Sequence, residues 1–167
     1  LSFDAPDGHV TALIGPNGAG KTTLLSIVSG LLRPTSGSVS FDGVRVHGLA
    51  GHRIAQLGVA RSYQNLQMFE DMSVLEVVMT GAHRVGRSGP LAAMIRLPGV
   101  RRDERLIEDK ARQVLSRVGI AQDMFRRDAV SLPYGLQRRV EIARALAGSP
   151  RLLLLDEPAA VLNPRET

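Results

Sequence analysis

The sequence predicts an α/β fold: a parallel sheet with an antiparallel β hairpin region and a helical subdomain insertion. Three observations predict it. Short apolar runs rich in β-branched residues alternate with segments of helical spacing, the pattern of strands joined by crossover helices. The run "SVSFDGVRV" (38–46) sets Asp42-Gly43 between two short stretches, a two-residue hairpin signal. From about residue 73 to 135 the chain turns helical, and the apolar run "RLLLL" (151–155) then returns it to strand.

Taken in order, "HVTALI" (9–14) is expected as a buried strand, being short, apolar and closed by Gly15-Pro16. "GPNGAGKTT" (15–23) is a glycine loop, and "LLSIVSGLL" (24–32) has the spacing of a helix that runs to "RPTSGS". After the hairpin, "LAGHRIAQLG" (49–58) reads as a short helix and "VARSYQ" (59–64) as a strand entering the irregular "NLQMFEDM" (65–72). "SVLEVVMTGAH" (73–83) is helical, an arginine- and glycine-rich connection covers 84–102, and a long amphipathic helix lies near 103–118. "GIAQDMFRRDAVS" (119–131) leads to "LPYGLQRR" (132–139), which opens a helix over 136–148. "RLLLLDEP" (151–158) is expected as a fully buried central strand ending in two carboxylates.

At 167 residues and 18.0 kDa the chain suits one compact domain, 1–167, with the helical subdomain of about 73–135 inserted in its core. The absence of cysteine excludes disulfides and thiolate metal sites and suits a reducing compartment. No apolar run approaches the roughly 20 residues of a membrane span, and "LSFDAPDGHV" lacks the basic and apolar regions of a signal peptide, so a soluble cytoplasmic chain is expected. It begins without methionine and stops on "NPRET", so both ends are expected to be cut. The net charge of +5 arises largely between Arg84 and Arg127, where arginines alternate with Asp103, Glu104, Glu108 and Asp109 as on a solvated helical face. Without an aromatic stacking platform beside that charge, no nucleic-acid partner is expected. His9, His47, His52 and His83 lack metal-ligand spacing, and Met68, Met72 and Met79 fit packing or a partner contact.

The chemistry sits in two motifs. Gly15, four residues, then Gly20-Lys21-Thr22 fit the P-loop pattern, in which backbone N–H groups wrap phosphates, a lysine neutralises them and a threonine hydroxyl reaches Mg²⁺. A side chain at Gly18 or Gly20 would hold the backbone away from phosphate oxygen. The candidate nucleotide contacts are therefore Gly15, Pro16, Asn17, Gly18, Ala19, Gly20, Lys21, Thr22 and Thr23. "LLLLDE" is the complement: an apolar strand delivers Asp156 toward the metal, and Glu157 is placed to orient or deprotonate a water at the terminal phosphate.

Together these motifs resemble the ATP-binding subunits of ABC transporters over essentially the whole chain. "GPNGAGKTT" is similar to Walker A, Gln64 in "SYQNL" to the Q-loop glutamine, "LPYGLQRR" to the signature, "LLLLDE" to Walker B and "AVLN" (160–163) to the D-loop. The tyrosine-glycine signature, "DEPAA-x-LNP" and "ARSYQNLQMFEDMSVLE" resemble the branch that serves branched-chain amino acid importers.

The resemblance implies an ATPase with ATP and Mg²⁺ as cofactors, Glu157 and Gln64 as catalytic residues, and Thr22, Gln64 and Asp156 at the metal. It implies a head-to-tail dimer with a second ATP-binding subunit, in which the turn at Tyr134 and Gly135 caps the phosphate held by the partner's loop. It further implies integral membrane permease subunits, an indirect periplasmic or extracellular substrate-binding protein, and a place at the cytoplasmic face of the membrane. An aromatic residue upstream of Leu1 and a histidine downstream of Thr167 are implied too; the chain holds neither, so residues 1–167 alone are expected to bind nucleotide poorly. An ABC ATPase of another transporter (for other amino acids, urea or lipid), a nucleic-acid-associated ABC protein and a non-hydrolysing module are the alternatives. The signature departs from Leu-Ser-Gly-Gly-Gln at Pro133, Tyr134 and Leu136, and Val161 stands where the branch has glycine. Pro133 brings neither a hydroxyl nor a backbone N–H, so one phosphate contact is expected to be absent, with donors near Gly135 and Leu136 surviving.

Overall fold

The computed structural model describes residues 2–62, 71–82 and 98–156, the last span with side chains from 103 onward. The expectations placed on Gln64, Met68, His83, Glu157, Val161 and the 160–163 segment lie outside the described residues. The chain forms two compact units, Leu1–Ile54 and Ala55–Thr167.

In the first unit, helix α1 (Lys21–Val28) starts from Gly20, whose φ of 87° is left-handed. It stops earlier than the apolar spacing suggests. Gly30 takes φ 76°, its N–H donates to the Ile27 carbonyl (3.1 Å) and the Leu31 N–H to the Ser26 carbonyl (2.8 Å), a helix-ending turn that glycine adopts without a Cβ penalty. Leu31 and Leu32 thus leave the helix and are exposed. Strands β1 (Ser40–Phe41) and β2 (Val44–Arg45) pair antiparallel across Asp42 (φ 52°) and Gly43 (φ 74°), the doubly left-handed turn whose twist matches a hairpin. Val46 and Ile54 are buried in this unit.

Residues 9–14 correct the sequence reading. They form no strand, and Val10 and Ile14 are 99% and 95% exposed. Apolar, β-branched composition says that a segment fits a covered sheet; it does not supply the neighbouring strand whose backbone groups it needs. Among the described residues no strand pairs with this run.

Helix α2 (Gly51–Leu57) leads to β3 (Val59–Arg61), which pairs in parallel with β4 (Leu152–Leu154), Val59 opposite Leu152 and Arg61 opposite Leu154. The Ser62 N–H extends the ladder to the Leu154 carbonyl at 2.9 Å. β4 is only half-buried over Leu152 and Leu153, with Leu154 covered, and β3 is its one paired neighbour among the described residues, so it is not the fully buried central strand expected.

Between these strands run helices α3 (Val74–Gly81), α4 (Pro98–Arg117) and α5 (Tyr134–Ala147), packed on one another. Their shared core is Val74, Val77, Val78, Ala111, Val114, Leu115, Val140 and Ala143, closed by Phe125 from the α4–α5 connection. The start of α3 leaves none of its first four amides idle. Val74 and Leu75 donate to the carbonyls of Arg127 and Phe125, Glu76 to the Ser73 hydroxyl and Val77 to the Ser73 carbonyl.

The Glu76 carboxylate closes a capping box by accepting from both the hydroxyl and the amide of Ser73. The Ser73 hydroxyl, and after it the Ser73 amide, hold the Glu76 carboxyl below its ordinary value. With the folded value depressed, this support is complete above the unfolded value and is lost as pH falls through the folded one. Ser73→Ala is expected to cost about 1 kcal/mol, the usual worth of an N-cap. Urea unfolding at neutral pH reads it, and an unshifted midpoint would dismiss the cap.

Candidate functional site

The nine loop residues occupy one continuous turn-to-helix segment. The Ala19 N–H donates to the Pro16 carbonyl at 3.2 Å, folding a turn around Asn17 and Gly18. Gly18 has φ 82°, and around an added Cβ at Gly18 or Gly20 there is no atom within 4 Å. The backbone therefore faces open space at these positions, while the left-handed conformation excludes most side chains. At Gly15, by contrast, a Cβ would lie 3.3 Å from that of Ala19, inside the turn. Lys21, the first residue of α1, folds back so that Nζ donates to the carbonyls of Gly15 (2.7 Å) and Pro16 (2.9 Å). Thr22 and Thr23 follow in the first helical turn, where backbone amides and the helix dipole are positive. The loop thus combines a fixed ammonium, amide donors and a threonine hydroxyl, a donor set for phosphate oxygens.

The second unit carries the carboxylate. Asp156 follows β4 and is 4% exposed. Two arginines hold it from different segments. Arg61, the last residue of β3, donates Nη2–H to Asp156 Oδ2 at 3.0 Å, a pair buried on both sides. Arg138, on α5, donates Nη2–H to the Asp156 main-chain carbonyl at 2.6 Å and Nη1–H to Glu141 Oε2 at 2.6 Å. Arg138 and Glu141 are each 4% exposed, so the pair lies inside the unit.

The turn before α5 also departs from expectation. Pro133 is the N-cap, and its carbonyl accepts from both Leu136 N–H (2.9 Å) and Gln137 N–H (3.0 Å). Leu136 was expected to keep its donor for an anion; the fixed φ of proline sets a carbonyl over the first turn that takes it. The amides heading the helix are those of Tyr134 and Gly135, with the Tyr134 side chain 57% exposed. Gln137 braces the turn, its amide donating to the carbonyls of Val130 (2.9 Å) and Leu132 (2.8 Å).

A glycine loop leading into a helix, a signature-like helix start and a buried aspartate after a parallel strand occur in sequence order, and the family described as ABC transporter matches residues 1–160. The chain belongs to the ABC transporter family. The high-affinity branched-chain amino acid transport ATP-binding protein BraF of Pseudomonas aeruginosa is 44% identical over 167 residues, all of this chain and 65% of that protein. The solved ATP-binding cassette MJ1267 of an ABC transporter superposes with a TM-score of 0.78 at 30% identity, covering 96% of this chain and 62% of that one. The cassette MJ0796, solved as a dimer in a post-hydrolysis state bound to ADP and Pi, gives 0.71 at 25% identity over 90% and 61% of the two chains. This ABC transporter chain therefore spans about two thirds of the length of the relatives it matches.

Sequence reasoning missed Arg61, Arg138 and Glu141. Arg138 and Glu141 stand three apart on a helix, a spacing that reads as a solvated surface pair. A usable signal was there: Glu141 falls beside Val140 and Ala143 on the helix, among residues that the core takes up.

Proposed function

We propose that the chain binds MgATP at the 15–23 loop and hydrolyses it, as the ATP-binding subunit of an importer of branched-chain amino acids. The observation that carries this reading is the loop itself, with two left-handed glycines facing open space and Lys21 drawn across its carbonyls. These residues fit a nucleotide phosphate: Lys21 supplies full positive charge, and the amides of Gly18 and of Gly20 to Thr23 supply donors. Thr22, Asp156 and Gln64 carry the oxygen donors that Mg²⁺ accepts. ATP brings the phosphoanhydride bond and Mg²⁺ the charge neutralisation; Glu157 takes the proton of the attacking water, and Gln64 orients that water.

Similarity to BraF across the whole chain supports branched-chain amino acids as cargo. The dimer of MJ0796 supports pairing with a second ATP-binding subunit, across which the Tyr134 and Gly135 amides would meet the partner-held phosphate. The name of BraF as the ATP-binding protein of a transport system supports assigning passage of cargo to permease subunits, on whose cytoplasmic side this subunit would sit, with a substrate-binding protein on the other side. Reconstitution of the full-length protein with those permease subunits tests the assignment: ATP-dependent leucine uptake supports it, and ATP turnover without such uptake moves the cargo elsewhere.

Lys21→Ala is expected to weaken MgATP affinity by at least about tenfold, since a hydrogen bond to a charged group is worth roughly 1.5–3 kcal/mol. The loss also releases Gly15 and Pro16, whose carbonyls Lys21 ties together. Calorimetry decides this, and wild-type affinity in the variant would remove the loop from the proposal.

A further inference from the structure

Lys110, Val114 and Arg117 stand at positions i, i+4 and i+7 of α4, on one face of the helix, and together they line a cavity of about 250 Å³. The facing wall is the end of α5 and the turn beyond it: Leu146, Ser149 and Pro150. Ser149 takes φ 50° and its N–H donates to the Leu146 carbonyl at 2.9 Å, so a closed turn rather than a loose loop forms this wall. All six residues belong to the second unit. The lining divides by chemistry. Val114, Leu146 and Pro150 are apolar, and proline has no N–H to offer. Lys110 and Arg117 are cations, Ser149 carries a hydroxyl, and no carboxylate among the described residues lines the cavity.

The helix itself supplies these cations with no counter-charge. Charges on a helix pair three or four positions apart. At those distances Lys110 meets Leu106, Ile107, Gln113 and Val114, and Arg117 meets Gln113, Val114, Ile120 and Ala121. Arg112 on the same helix is the contrast, held by Glu108 at 2.6 Å. Among the described residues neither Lys110 nor Arg117 forms an ion pair. Arg117 lies in the last turn of α4, where the helix dipole favours a cation; that accounts for Arg117 and not for Lys110, half-buried two turns earlier. Seven residues separate the two by about 10 Å along the axis, within the joint reach of two long side chains. We propose that this cavity binds a small aliphatic monocarboxylate, its carboxylate between Lys110 and Arg117 with the Ser149 hydroxyl as a further donor, and its hydrocarbon on Val114, Leu146 and Pro150. A zwitterionic amino acid fits less well. Its ammonium would lack an acceptor, because no carboxylate lines the cavity and the Leu146 carbonyl already accepts from Gly148 and Ser149. Inorganic phosphate would meet the cations and leave the apolar half unfilled.

The test titrates the full-length protein, without nucleotide, with isovalerate, acetate, leucine and inorganic phosphate, and follows the methyl NMR signals of Val114 and Leu146. These methyls report on this cavity and not on the phosphate loop, so the outcome is independent of the function proposed above. Isovalerate is expected to shift both signals saturably, with a Kd of about 1 mM for so small a ligand. Acetate is expected to bind at least about tenfold more weakly, since each buried CH₂ is worth about fourfold. Leucine and phosphate are expected to be weaker than isovalerate as well. Lys110→Gln combined with Arg117→Gln should reduce isovalerate affinity at least about tenfold by removing both charges. Arg117 is exposed and Lys110 half-buried, so the fold does not depend on them. Should that protein nevertheless fail to unfold cooperatively, the ligand series on the wild type decides alone. No saturable shift with isovalerate would overturn the site. Isovalerate affinity unchanged in a folded double variant would overturn the role of the cations and the proposal with it. Phosphate or acetate shifting the same methyls at equal concentration would reveal a bare pair of charges and overturn the aliphatic class, and leucine binding as tightly as isovalerate would do the same.

Discussion

Glu157→Gln in the full-length protein is expected to lower ATP turnover at least about 100-fold while MgATP binding stays close to wild type. The expectation follows from what the substitution removes. A positioned general base contributes roughly 10²–10⁴ in rate, and the amide keeps the size of the carboxylate while losing its affinity for a proton. In the proposed function nucleotide affinity is carried by other residues: Lys21, the amides of the phosphate loop and the Thr22 hydroxyl. Asp156, the residue before Glu157 in sequence, is held by its carboxylate through Arg61 and by its carbonyl through Arg138.

A second consequence separates loss of chemistry from loss of structure. If hydrolysis is what ends the ATP-bound association of two subunits, the Gln variant accumulates a dimer in MgATP that sedimentation detects, and Lys21→Ala does not. Turnover at the wild-type rate would remove Glu157 from the role of base. Slow turnover with no ATP-dependent dimer would keep the base and discard the head-to-tail pairing.

Elements whose geometry is decided locally were legible. The hairpin needs two consecutive residues with positive φ, and Asp42-Gly43 announces them. Helices expected near 103–118 and over 136–148 are found at Pro98–Arg117 and Tyr134–Ala147, because an apolar stripe and a proline start are written within single segments. The loop residues Gly15 to Thr23 fall together for the same reason. Burial is a different matter. "HVTALI" has the composition of a core strand and stays exposed, while Arg138 and Glu141 look like surface residues and are enclosed; in both cases partners distant in sequence decide. Local pattern places Arg61 in a strand and says no more of it, while its partner Asp156 lies 95 residues away.

The largest effect on stability is expected from Gly81→Ala. Gly81 ends α3 where it crosses α5, and a Cβ added there would collide with the Arg144 carbonyl oxygen and lie 2.8 Å from its carbon and 3.0 Å from its Cγ. The obstacle is main chain held in a helix, so it cannot swing aside as a side-chain tip would. Gly148 faces the same crossing, where its own added Cβ would stand 3.0 Å from the Gly81 carbonyl oxygen, and buried Ala82, Ala143 and Ala147 complete a contact made of small residues. Two opposed effects compete. Alanine in place of glycine favours a helix by roughly 0.8–1 kcal/mol, whereas overpacking a tight contact costs about 1–3 kcal/mol and sometimes more. Because the added Cβ meets main chain, the second term is expected to win, with a net loss of up to about 2 kcal/mol and a lower urea midpoint. A midpoint at or above wild type would show that the helices can part at little cost. Arg138 rides on the same α5, so a helix pushed off Gly81 also drags the donor away from the Asp156 carbonyl.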